Sequence, residues 1–223
     1  MIKAVVFDMD HTLFDRYATI RRVIPDFCST FDVALSVEDA ADLLCKYDKQ
    51  LNIYGWPTVF KQIKAEGMFH EAPHFAAYAA FLYEYFTKVS VDYPFTKPTL
   101  ALLRQNGFKI GMITNGDHEI QAAKIENLGY EPYFDEILIS GDCDWDKPDP
   151  EIFCEMARRF GIEPAELVYV GDHPVNDVQG AREAGCKAVW VKTTGVWLDD
   201  VEPAEYAIDN LSQLPDLLKT MED

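Results

Sequence analysis

Positive charge is scarce in this chain. Lysine and arginine total 20 against 38 aspartates and glutamates, a formal net charge of −18. So acidic a chain is a poor candidate for binding nucleic acid through its phosphates. If the substrate is itself an anion, the site needs local positive charge from a metal, a lysine or a helix N-terminus. Long apolar runs are also missing. No stretch approaches the ~20 residues of a membrane helix, and no basic segment with an apolar stretch behind it marks a secretory leader. The five cysteines (Cys28, Cys45, Cys143, Cys154, Cys186) are odd in number, widely spaced and free of any CxxC pair. That argues against a disulfide framework and a zinc ribbon and suits a reducing cytosol. We expect a cytoplasmic protein with no membrane partner. Internal repeats and low-complexity tracts are lacking as well.

What is present is a core-forming chain of 223 residues, 48% apolar. Short apolar runs at Ile2–Phe7, Lys109–Ile113, Glu136–Ile139, Leu167–Val170 and Ala188–Val191 predict buried strands, with a shorter one at Tyr206–Ile208. Helical patterns lie between them: Lys97–Asn106, with Pro98 near its start and Gly107 past its end, Ile120–Leu128 before Gly129, Phe153 to Phe160 before Gly161, and Val175 to Ala181 before Gly185. Strands alternating with helices imply a parallel sheet covered on both faces. Residues 16–92 break the alternation. They read as helical throughout, with starts near Ser36 and Gly55 and a third stretch from Glu71 to Lys88. The predicted fold class is α/β: a Rossmann-like open parallel sheet core, residues 1–15 and 93–223, with an inserted all-helical cap domain, residues 16–92.

Ligands of open parallel sheets bind beyond the carboxyl ends of the strands. Four such ends are rich in chemistry: Asp8-Met9-Asp10-His11-Thr12, Thr114-Asn115-Gly116, the loop from Asp142 to Lys147-Pro148-Asp149-Pro150, and Gly171-Asp172 to Asp177. Crowded carboxylates repel and are costly to desolvate, so a bound cation is the expected compensation. Asp8 is placed as a nucleophile and Asp10 as general acid and then base. Asp172 and Asp177 extend an oxygen-rich site suited to Mg2+. Thr114 offers a hydroxyl, the amides around Asn115 and Gly116 open a helix, and Lys147 can offset phosphoryl charge. Neither Asp8-Asp10-Thr12 nor Asp142-Asp144-Asp146 is a calcium loop, since glycine and the bidentate glutamate are missing from both.

Together these motifs resemble the haloacid dehalogenase superfamily, in its phosphatase branch with a helical cap after the first strand. The likeness rests on DxDxT at Asp8-Asp10-Thr12, the run ending in Thr114-Asn115, Lys147, and GDxxxxD from Gly171 to Asp177, and it spans essentially the whole chain. It implies an aspartyl-phosphate on Asp8 and Mg2+ held by Asp8, the Asp10 carbonyl and Asp172, with Asp177 acting through metal-bound water. Thr12 is implied to steady the loop. A small phosphorylated metabolite as substrate and a monomeric or homodimeric state are implied too. His11 stands where glycine is frequent and reads as loop variation, and Asp144 makes the Lys147 loop unusually acidic. In the cap, Tyr17, Arg21, Tyr54, Trp56 and Lys61 are candidates for choosing the leaving group. A phosphosugar mutase would use the same residues. A dehalogenase would need neither Asp10 nor a metal. A phospho-receiver or other binding module would bind without turnover.

Overall fold

A computed structural model describes residues 1–51, 54–193 and 197–221. The chain forms two compact units, one of residues 1–15 with those from Asp92 onward, the other Arg16–Val91.

The first unit is built on six parallel strands: β1 (Ala4–Phe7), β2 (Lys109–Thr114), β3 (Glu136–Ile139), β4 (Leu167–Gly171), β5 (Lys187–Val191) and β6 (Tyr206–Ile208). Their order is β3-β2-β1-β4-β5-β6, the doubly wound order. β1 is central because its residues are buried on both faces. Val5 and Phe7 join one apolar cluster, with Val168, Val170, Leu100, Leu103 and Leu128. Ala4 and Val6 join the other, with Tyr169, Ile152, Phe153 and Met156. That two-residue alternation is the pleat of a strand.

The order reverses at β1, whose neighbours β2 and β4 align Met112 and Val170 with Phe7. The next residue, Asp8, donates its amide to the Val170 carbonyl at 2.9 Å. It therefore stands at the topological switch point, where ligands of such sheets bind.

In the second unit, α1 (Arg16–Thr30), α2 (Val37–Leu51), α3 (Trp56–Ala65) and α4 (Phe75–Lys88) pack around Phe27, whose ring meets Phe31, Phe69, Tyr78 and Phe81 edge-on or tilted. Ser36 caps α2 by accepting the Asp39 amide at 3.1 Å. The last helix starts at Phe75 rather than Glu71, because Pro73 disfavours helical backbone before it and His74 is extended. Arg16 and Asp48 form a buried two-pronged ion pair at 2.9 and 2.8 Å.

The remaining helices cover the sheet: α5 (Thr96–Gln105), α6 (His118–Leu128), α7 (Pro150–Phe160), a π-helical segment Pro174–Gln179 running into α8 (Gly180–Glu183), and α9 (Leu214–Thr220). Gly129 and Gly161 end α6 and α7 in the left-handed conformation that glycine favours. Asp92, grouped with the insertion in the sequence reading, belongs to the sheet unit, where it accepts the Tyr130 hydroxyl at 2.5 Å. Among the described residues no helix is long and apolar enough to cross a membrane.

Candidate active site

Strand alternation turns Asp8 to the same sheet face as Val6, the face that carries Tyr169. Lys147 reaches into this spot from the loop before α7. Its Nζ lies 2.7 Å from Asp8 Oδ1, 2.8 Å from Asp177 Oδ1 and 2.9 Å from the Tyr169 hydroxyl, all buried. Tyr169 in turn donates to the Ile113 carbonyl at 3.1 Å. The lysine stem is aimed by a reciprocal amide pair. Asn115 Nδ2 donates to the Lys147 carbonyl at 2.8 Å, and the Lys147 amide donates to Asn115 Oδ1 at 2.9 Å. The acidic loop does not compete for the ammonium: Asp142, Asp144 and Asp146 are exposed, and Asp142 pairs with His118.

Carboxylate oxygens of Asp8, Asp172 and Asp177 lie within 4.8 Å of one another, and all three residues are buried. Burial pushes the Asp8 carboxyl up to about 7 against the pull of Lys147, with Asp177 and Asp10 adding repulsion. Asp172 is held well above the usual carboxylate range by burial and then by the charges of Asp8 and Asp177. Lys147 is lowered by burial, but Asp177 and Asp8 outweigh this and keep it firmly protonated. One ammonium among three carboxylates leaves an excess of negative charge, so the cluster could hold a cation through hard oxygen donors. Asp177 is the most occupied of the three, since its other oxygen accepts the His173 amide at 2.9 Å. The Asp172 carbonyl is fixed by Trp190 Nε1 at 2.9 Å.

Asp10 lies just beyond β1 and its carboxylate is not in that cluster. Both of its oxygens face Lys124 Nζ, at 2.9 and 2.7 Å. Thr114, at the tip of β2, is buried and accepts a hydrogen bond from Gln121 Nε2. One expectation is corrected here. The Gly116 amide is not part of an open anion site, because it donates to Ser140 Oγ at 3.0 Å. The helix opens two residues later, and Asp117 caps it by accepting the Glu119 amide at 3.0 Å. The backbone at His11 is left-handed, φ 63°, which explains why glycine would be at home there. The Thr12 hydroxyl is buried with no hydrogen-bond partner among the described residues, so its steadying part is limited to packing and to its amide, which bonds the Met9 carbonyl at 3.3 Å.

Three buried polar groups, Gln121, Lys124 and Tyr169, escaped the sequence reading. Of the cap candidates, Tyr17 and Trp56 pack on the aromatic core of the helical unit. Tyr54 and Lys61 are exposed, and Arg21 forms an exposed ion pair with Asp42.

A family model described as haloacid dehalogenase-like hydrolase matches residues 2–185. A glyceraldehyde 3-phosphate phosphatase of Methanopyrus kandleri is 34% identical over 99% of both chains. Among solved structures, a HAD phosphatase from Thermococcus onnurineus is 30% identical with a TM-score of 0.67, covering 97% of this chain and 98% of that one. A 2-haloacid dehalogenase from Pseudomonas syringae is 29% identical with a TM-score of 0.64, covering 99% of this chain and 100% of that one.

Proposed function

Because this chain belongs to the haloacid dehalogenase-like hydrolases, we infer that it is a magnesium-dependent phosphatase of small phosphorylated metabolites. The observation that carries this reading is the buried cluster of Asp8, Asp172 and Asp177 around a single lysine. Asp8 is the nucleophile. Its carboxylate attacks phosphorus, the bond from phosphorus to the leaving oxygen breaks, and Asp10 gives that oxygen a proton. Asp10 then takes a proton from the water that attacks the aspartyl-phosphate, and Asp8 is released. Lys147, the Thr114 hydroxyl and the Asn115 amide hold the phosphoryl oxygens. Asp8, the Asp10 carbonyl, Asp172 and Asp177 would hold Mg2+, which would supply neutralisation of the phosphoryl charge.

The two phosphatase relatives do not weigh alike on substrate, because one of them carries no substrate in its name. Glyceraldehyde 3-phosphate heads the candidates, since the Methanopyrus relative of that name aligns over nearly the full length. Asp10 and the carboxylate cluster speak against dehalogenation, which needs neither a second carboxylate at that position nor a metal. The unit Arg16–Val91 is read as a cap domain that selects the leaving group, and the protein as a cytoplasmic monomer or homodimer. Its net charge of −18 argues against nucleic acid as substrate.

The test is phosphate release from p-nitrophenyl phosphate and a metabolite panel, with and without Mg2+, comparing wild type with Asp8→Asn. Magnesium-dependent release lost in the variant is expected. A well-folded wild type that releases nothing would sink the reading, and isomerised sugar phosphate without free phosphate would replace it with a mutase.

A further inference from the structure

The buried face of α6 runs through Gln121, Lys124, Ile125 and Leu128. Its last two residues are ordinary core. Its first two are polar groups to which the mechanism above gives no task. Lys124 is 4% exposed at its side chain, and its ammonium lies 5.3 Å from the centre of the Phe14 ring. Burying a lysine there is costly unless the charge is matched, and Asp10 meets it through both carboxylate oxygens. Gln121 Nε2 adds a contact to Asp10 Oδ2 at 3.3 Å, bonds Thr114 Oγ1, and reaches the Asn115 carbonyl at 3.1 Å. One amide thus ties the carboxylate after β1 to the tip of β2. Asp8 directly follows a strand paired on both sides, and its own amide bonds the Val170 carbonyl at 2.9 Å. Asp10 lies past the strand, with a side chain 24% exposed, and needs its orientation set from outside.

We propose that Lys124 and Gln121 are positioning residues that hold the Asp10 carboxylate in the orientation its proton transfers require. Neither touches substrate. The inference rests on the phosphatase reading, with Asp10 as the acid–base group. When the phosphorus–oxygen bond breaks, its electron pair stays on the leaving oxygen, and an alkoxide needs the Asp10 proton. A p-nitrophenolate leaves without one. A misaimed Asp10 therefore penalises alkyl phosphates and spares the aryl ester. Damage to the fold or the metal site penalises both. The quantity to compare is kcat/KM, which covers steps only through leaving-group departure.

The experiment uses the intact chain with Mg2+ and the variants Lys124→Met, Lys124→Arg, Gln121→Ala, Asp10→Asn and Asp10→Asn/Lys124→Met. The substrates are p-nitrophenyl phosphate and the alkyl phosphate of the panel that is turned over fastest. Lys124→Met should lose ~10–100-fold on the alkyl phosphate and under ~3-fold on the aryl ester. Lys124→Arg should recover most of that loss, and Lys124→Met should add nothing in the Asp10→Asn background. Mg2+ binding by calorimetry, a readout independent of turnover, should match wild type. Equal losses on both substrates, additivity with Asp10→Asn, or weakened Mg2+ binding would overturn the proposal. If Lys124→Met does not fold, Gln121→Ala carries the same comparison by the same criteria: a larger loss on the alkyl phosphate than on the aryl ester is expected, and equal losses overturn the proposal. A wild type inactive on every phosphate removes the phosphatase reading and this role with it. An active wild type whose Asp10→Asn variant ignores the leaving group overturns this role alone.

Discussion

Gly171 and Asp177 leave no space between them: a Cβ added to Gly171 would lie 2.4 Å from the Asp177 carboxyl carbon and 2.5 Å from its Cβ. The glycine at the end of β4 is thus what lets the Asp177 carboxylate sit against Lys147. Gly171→Ala must push Asp177 aside. Overpacking of this kind costs about 1–3 kcal/mol, so urea denaturation should show a lower midpoint. Turnover should fall more than this loss of stability alone explains. A variant with wild-type activity would mean that Asp177 has room to move.

Lys147 neutralises two buried carboxylates at once. Lys147→Met would leave Asp8 and Asp177 facing each other without the ammonium, and breaking a buried pair in this way costs about 3–5 kcal/mol. The expected outcome is a large loss of stability and loss of phosphate release. Added Mg2+ should return part of the stability, because a cation can take over some of the neutralisation. Chemical denaturation with and without the metal measures both.

The raised pKa of Asp8, about 7, has a definite sign in stability. A carboxyl whose folded pKa is raised stabilises the fold while protonated. For Asp8 that contribution is full below the ordinary value of 3.8 and is lost as pH rises through about 7. Asp172 shifts in the same direction. Metal-free protein should therefore lose stability over this interval. Mg2+ binds the ionised form, so it should raise the melting temperature more at pH 8 than at pH 5. An equal metal effect at both values would contradict the assignment of these carboxylates.

The ion pair of Arg16 and Asp48 offers a test confined to the helical unit. Asp48→Ala takes away the acceptor of two guanidinium hydrogen bonds in a buried setting, which should cost about 3–5 kcal/mol. Replacing both residues by apolar ones of similar volume, Arg16→Met with Asp48→Leu, should recover much of it. Denaturation of the two variants side by side decides this.

The strand ends were legible because the relevant information is local. An apolar run, a stop, and a polar residue at the stop can be read from one stretch, which is how Asp8, Thr114, Lys147 and Asp172 came into view together. Gln121, Lys124 and Tyr169 were not legible in that way. Each lies inside an element, at a position that its periodicity assigns to the core. The trace they leave is a polar residue on an apolar stripe: Gln121 and Lys124 share one helix face with Ile125 and Leu128. The partner that makes sense of Lys124 is 114 residues away, and periodicity carries nothing about that distance. The Gly116 amide failed for a related reason, since Ser140, which takes it, belongs to another loop.

The strand order has a consequence for synthesis. β1 leaves the ribosome before either strand that flanks it. The chain must first deliver all of Arg16–Val91, a unit whose core is its own, before β2 can pair with β1, and β4 comes later still. Non-local pairing of this kind is slow. Asp8 is made well before Lys147, Asp172 and Asp177, the residues that surround it. A nascent chain arrested after α4 should resist protease across the helical unit while β1 stays cleavable, and protection of β1 at that stage would show that something other than its sheet neighbours shelters it.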